Sequence, residues 1–183
     1  MRSKPLLLAL CLALSAAQAR AEPPHFGIGR PPTEAEIAAW NIDVRADGEG
    51  LPPGHGSVAD GAKLFAERCQ VCHLDGGSKA LAPGLDILVG RTGTLKGPSP
   101  GKTIGTYWPY ATTLFDFIRR AMPFPSPQSL SADEVYALSA YLLNRNAIVA
   151  DDTVLDAENL PRIRMPNRDG FIDRGDWRDP PNP

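Results

Sequence analysis

The chain has 183 residues, 43% of them apolar, with 19 Lys+Arg against 21 Asp+Glu and a formal charge of −2. That length supports one domain with a modest core. The slight acidic excess argues against nucleic acid as a partner, which requires a basic face, and suits a docking partner that presents a basic patch.

Residues 1–21 read as a secretory signal peptide. Arg2 and Lys4 form a basic start, Leu6 to Ala17 is an apolar run, and Ala19-Arg20-Ala21 is a small-x-small cleavage site. The run is shorter than the roughly 20 apolar residues that span a bilayer, so no stable membrane insertion is expected. The mature chain is expected to begin near Glu22, in an exported compartment. Cleavage removes Cys11, leaving Cys69 and Cys72, and removes Arg2, Lys4 and Arg20, which makes the mature chain more acidic.

Residues 22–56 form an N-terminal extension. Thr33 and Glu36 stand at capping-box spacing, and Ile37 with Trp40 gives the short helix they open an apolar edge. Leu51-Pro52-Pro53-Gly54 then forces an extended or turned connection.

The core, residues 57–150, contains three helices. The first opens at Ser57 with Asp60 three residues on, carries Val58, Ala62 and Phe65 on one face, and ends at Cys69-Gln70-Val71-Cys72-His73. Two thiols three positions apart, followed by a histidine, read as the covalent attachment site of one haem c, with His73 as proximal iron ligand. A structural zinc site needs four ligands, and only His25 and His55 remain to join the pair. A redox dithiol belongs near a βαβ pattern, whereas here the motif closes a helix and precedes Gly-rich loop. The second helix begins near Thr112 or Thr113, with Leu114, Phe117, Ile118 and Ala121 as its stripe, and Pro123 stops it. The third has Ser131 and Glu134 as a full capping box, with Val135, Leu138 and Leu142 on its buried side and Tyr141 beside them. No strand pattern is convincing, so the fold is all-α. The C-terminal irregular tail, residues 151–183, is rich in Pro, Asp, Arg and Asn. Neither extension nor tail buries enough surface to fold alone; each lies along the haem core or orders on a partner.

The iron needs a sixth ligand or a vacancy. Methionine ligation implies electron transfer at a raised potential, and the mature chain offers Met122 and Met165. Met122 follows the second helix directly, in Ala121-Met122-Pro123-Phe124-Pro125, where the prolines stiffen the backbone. It is assigned as distal ligand. A buried gap-filling role for Met122, or His25 or His55 as the ligand, are the alternatives. A ligating histidine usually donates its second N–H to a carbonyl or carboxylate, and the Pro83 carbonyl is the candidate acceptor. Tyr107, Trp108 and Tyr110 precede the distal helix and, with Arg91, are candidate partners of the haem propionates.

Gly61 and Phe65 before the motif, Pro83 and Leu85 after it, Met122, and Ala140-Tyr141-Leu142 together resemble class I cytochrome c. The resemblance implies that the first and last core helices cross at near right angles, that Gly61 lets them approach, and that Phe65 meets an aromatic such as Tyr141. A narrower resemblance covers nearly the whole mature chain. Gly27-Ile28-Gly29-Arg30, Ile37 to Val44, Gly50 to Gly54, Lys102 to Tyr110, Arg120 to Phe124 and Asn159 to Gly170 are similar to the cytochrome c subunit of the periplasmic molybdenum sulfane or sulfite dehydrogenases of sulfur oxidation. That resemblance implies periplasmic location and a hetero-oligomer. The molybdenum-cofactor subunit oxidises sulfur, and the extension and tail clasp it. The cytochrome passes electrons to a downstream carrier or oxidase. The sulfane dehydrogenase cytochrome often has a second, C-terminal haem domain; with a single haem motif, this chain is expected to be a mono-haem member.

Three functions follow. The first is a non-catalytic electron-transfer subunit of a sulfite or sulfane dehydrogenase. The second is a free-standing diffusible electron shuttle. The third is a haem enzyme or ligand sensor with an open iron site, against which stands the absence of a distal histidine or cysteine in the core.

Overall fold

The computed structural model describes residues 27–82, 87–90, 94–98 and 100–171. The predicted signal sequence, His25, Pro83, Leu85 and Arg91 lie outside the described residues. The chain divides after Trp40 into two compact units.

In the first unit, α1 (Glu34–Trp40) forms where the Thr33/Glu36 spacing predicts it. The Glu36 carboxylate accepts from the Thr33 backbone N–H at 2.8 Å, and the Thr33 hydroxyl accepts from the Glu36 N–H at 3.3 Å. Arg30 adds a charge-assisted bond to the same carboxylate at 2.8 Å. Arg30 first, and Thr33 second, hold the Glu36 carboxyl down to about 2. The helix buries none of its residues, and these local bonds hold its first turn.

In the second unit, α2 (Val58–Arg68), α3 (Ala111–Ala121) and α4 (Ala132–Arg145) enclose one core. Ser57 caps α2 by accepting from the Asp60 N–H at 3.1 Å. Ser131 and Glu134 close the expected capping box on α4. α3 starts one or two residues before the predicted position, because its N-cap is Tyr110, in extended conformation and with no side-chain cap to read in the sequence. Its buried face also differs from the predicted stripe. Phe115 is fully buried against Tyr136, ring centroids 4.5 Å apart, while Phe117 is 45% exposed.

Two short strands escape the sequence pattern. β1 (His55–Ser57) pairs antiparallel with β2 (Val154–Asp156), Gly56 opposite Leu155. Three residues are too few to display alternation. The pairing brings the tail back to the start of α2, and the tail continues through a 3-10 turn, Leu160–Arg162, that packs on α3.

The tightest constraint is the contact of α2 with α4. A Cβ placed on Gly61 would stand 2.6 Å from the Ala137 carbonyl carbon and 2.7 Å from the Tyr141 Cβ. The two helix backbones therefore meet where a side chain has no room, as the resemblance implied. One helical turn further on, Phe65 packs on Tyr141 with ring centroids 5.0 Å apart. Gly61→Ala is expected to force the helices apart and destabilise the protein by about 1–3 kcal/mol or more, read as a lower denaturant midpoint in the haem-loaded protein.

Candidate haem site

α2 delivers the two thiols. The Cys69 N–H closes its last turn on the Phe65 carbonyl at 2.9 Å. The N–H groups of Cys72 and His73 then both donate to the Cys69 carbonyl, at 3.1 and 2.9 Å. Both cysteines and the histidine thus stand within one turn of backbone, and all three are half-buried. Burial pushes the Cys69 thiol up to about 11. It is protonated at neutral pH, the opposite of the low-pKa nucleophile that a redox dithiol requires.

The chain reverses directly after the motif. Asp75, Gly76 and Gly77 have φ of 54°, 62° and 90°, a left-handed run that glycine accommodates without steric cost. The reversal is fastened from two sides. The Gly77 carbonyl accepts from Leu88 and Val89 at 2.9 and 3.1 Å, and Arg145 at the end of α4 donates to the Gly76 carbonyl at 3.4 Å.

The next residue, Asn146, is a buried bracket that sequence reasoning missed. Its Oδ1 accepts from the N–H groups of Gly90 and Gly105, each at 3.1 Å. Its Nδ2 donates to the carbonyls of Leu88 and Leu142 at 3.2 and 2.8 Å. One amide thus ties two loops to the end of α4. Nothing local in the sequence marks it, since its partners lie up to 58 residues away.

Met122 is half-buried at the C-cap of α3, its N–H donating to the Ile118 carbonyl at 3.0 Å. Residues 42–46 run along α3 as a brace. Val44 N–H donates to Asp116 at 3.1 Å, Arg119 to the Ile42 carbonyl at 3.2 Å, Thr112 to the Ala46 carbonyl at 3.2 Å, and Arg120 bridges Asp43 and Asp116. This part of the extension therefore lies along the core, one of the two outcomes its composition allowed.

Cys69, Leu88, Trp108, Met122 and Tyr141 all border the same buried cluster. The structure thus brings one predicted attachment thiol, the predicted distal methionine and Trp108 to one core. Trp108 packs edge-on against Phe117, centroids 5.8 Å apart. Tyr107 instead meets Phe171 at 5.2 Å and Lys102. His55 is exposed on β1, at the opposite end of the 11-residue α2 from the motif, roughly 16 Å away by helical rise. Met165, which the sequence sets in a polar tail, is 1% exposed in the core. Pro83 and Arg91 lie outside the described residues.

A cytochrome c family model matches residues 58–146. The crystal structure of the sulfane dehydrogenase SoxCD from Paracoccus pantotrophus matches at 46% identity and a TM-score of 0.75, over 81% of this chain and 72% of that one. The chain belongs to the class I cytochrome c family. No curated protein sequence matches it. The family carries covalently bound haem c, and Cys69 and Cys72 fit its attachment motif. The donor set agrees: two thiols and an imidazole in one turn, with a thioether ending a second helix at the same core. Among the described residues of the cytochrome no helix is long and apolar enough to cross a membrane.

Asn146→Ala would leave the half-buried Gly90 N–H and the buried Gly105 N–H without their partner, while the Leu88 and Leu142 carbonyls keep the backbone N–H groups of Ile104 and Asn146. An unsatisfied buried group costs about 1–3 kcal/mol, so a loss of about 2 kcal/mol or more is expected in denaturant unfolding, with haem still covalently attached on a denaturing gel.

Proposed function

We propose that this cytochrome is the mono-haem electron-transfer subunit of a periplasmic molybdenum-dependent sulfite or sulfane dehydrogenase, passing electrons to a downstream carrier or oxidase. The observation that carries the reading is the 46% identity to the sulfane dehydrogenase SoxCD over 81% of this chain, which extends well beyond the haem-bearing helices.

Haem c, when bound, supplies a one-electron couple at its iron. Every other task falls to the chain. Cys69 and Cys72 would tether the ring by thioether bonds, each thiol adding across one haem vinyl group. His73 and Met122 would ligate the haem iron, and the Pro83 carbonyl is the candidate acceptor for the second N–H of the His73 ring. Trp108, Tyr107 and Arg91 are the candidates for the propionates. With His73 and Met122 as its two protein ligands, the iron would offer no site to a substrate, and oxidation of the sulfur compound would belong to the molybdenum subunit. A thioether ligand raises the potential into the range suited to accepting electrons.

One feature favours a committed partner over a free-standing shuttle. The first unit presents Ile28 and Trp40 at 88% and 87% exposure, beside a helix already fixed by its own cap and by the Arg30–Glu36 pair. A preordered segment carrying a bare tryptophan binds at a low ordering cost.

Met122→Ala is expected to lower the reduction potential and let carbon monoxide bind the ferrous protein; an unchanged spectrum and potential would refute the assignment. Removing residues 22–40 should leave haem attachment intact and weaken binding to the molybdenum subunit by roughly tenfold or more, the loss of about 1.4 kcal/mol or more expected for one aromatic anchor. Equal affinity in a titration of the two subunits would favour the free-standing shuttle instead.

A further inference from the structure

We propose that the tail segment Met165–Phe171 is an intramolecular strap that fixes the stretch Tyr107–Tyr110 ahead of the distal helix, with Asn167 and Arg168 as positioning residues that tune the haem through that stretch. The idea rests on haem c at Cys69 and Cys72, with Met122 on the far side of the iron, and on no partner.

The stretch needs external support. It is irregular backbone, and Pro109 has no N–H to contribute to any ladder. On its inner side the support is visible. Asn146 holds the Gly105 N–H, and the Thr106 hydroxyl accepts from the Thr103 N–H at 2.9 Å. The Tyr107 N–H donates to the Thr103 carbonyl at 2.9 Å. On its outer side the support comes from the tail. Asn167 Nδ2 donates to the Tyr107 carbonyl at 2.7 Å, which fixes the plane of the Tyr107–Trp108 peptide. The Arg168 guanidinium lies over the Tyr110 ring, 4.2 Å from its centroid. Phe171 meets Tyr107 edge-on at 5.2 Å.

The strap is itself firmly tied. Leu160 and Met165 are buried in the core, and the turn Leu160–Arg162 packs on α3. Two reverse turns shape it, Arg168 N–H to the Met165 carbonyl and Gly170 N–H to the Asn167 carbonyl, both at 3.1 Å, with Arg164 paired to Asp169 across them. It therefore behaves as a fixed clamp.

What the clamp governs is Trp108. That ring packs on Phe117, and Phe117 lies one helical turn before Ala121, next to Met122. A loosened Tyr107–Trp108 peptide would free the indole, admit water beside the haem and favour the more highly charged ferric state. Solvent exposure is one of the levers by which a protein sets a haem potential.

The test uses the haem-loaded full-length protein carrying N167D and R168A together. The carboxylate at 167 has no N–H to donate, and the change at 168 removes the cation over the Tyr110 ring. The expected result has three parts: faster hydrogen exchange in the peptide spanning 103–110 with α2 and α4 unchanged, a downward shift of the midpoint potential in spectroelectrochemical titration, and retention of the methionine-ligation band of the ferric spectrum. R168K, which keeps the cation over the ring, should sit close to wild type. An unchanged potential, or faster exchange confined to 160–171, would overturn the proposal. So would loss of the methionine band, which would trace the effect to Met122. If the double variant yields no haem-loaded protein, N167A alone should show the same shift in smaller measure, and its absence would likewise overturn the idea. None of the three readouts involves the dehydrogenase, so failure here would leave the electron-transfer reading standing.

Discussion

The approach of α2 to α4 at Gly61 is the constraint on which the rest of the structure depends. Because no side chain separates the backbones there, Phe65 and Tyr141 meet one turn later, and the ends of both helices work on the same site. α2 runs out into Cys69-Gln70-Val71-Cys72-His73. α4 runs out into Arg145, which holds the reversal after the motif, and Asn146, which holds the loops at Gly90 and Gly105. A wider crossing would disturb the core, the haem-bearing turn and the loop bracket together. Packing at one glycine is thus transmitted to the metal site by two helix termini rather than by any long-range charge.

The helix that leads to Met122 is held differently. α3 packs on α4, and its other supports are segments that contain no haem-binding motif: residues 42–46 before the core and the turn Leu160–Arg162 after it. The ion pairs along this brace, Arg120 with Asp43 and Asp116, include an exposed one, and exposed pairs contribute only about 0.2–1 kcal/mol each. Burial of Leu155, Leu160 and Met165 contributes roughly 1.5–3 kcal/mol per side chain. The buried anchors therefore decide where the tail lies, and the charged contacts refine its register.

Local features were legible in the sequence, and non-local ones were not. Capping boxes are written within four residues, so Thr33/Glu36 and Ser131/Glu134 predicted α1 and α4 directly. The attachment motif is equally local. By contrast, α3 begins at a residue with no capping side chain, and its stripe was misread because Phe115 and Phe117 are both apolar while only packing against Tyr136 selects Phe115. Asn146 acquires its role from Leu88, Gly90 and Gly105, which only the folded chain brings to it. Met165 read as part of a polar tail for a related reason. Leu155, Leu160 and Met165 recur at five-residue intervals, a period that belongs to neither helix nor strand, so periodicity discards them although all three are buried.

The first unit and the tail differ in what their polar residues do. In the tail they close turns on themselves. Asp156 accepts from the N–H groups of Glu158 and Asn159 at 2.8 and 2.9 Å, and Asn159 returns the contact to the Asp156 N–H at 3.0 Å. Each turn satisfies backbone that would otherwise require a helix or sheet, and so frees the intervening apolar residue to point inward. In the first unit the polar residues instead build a short helix whose apolar neighbours Ile28 and Trp40 remain in solvent. One segment spends its apolar side chains on the cytochrome's own core, and the other keeps them available. An electron-transfer cytochrome benefits from the first arrangement, surroundings of the iron that hold still between oxidation states.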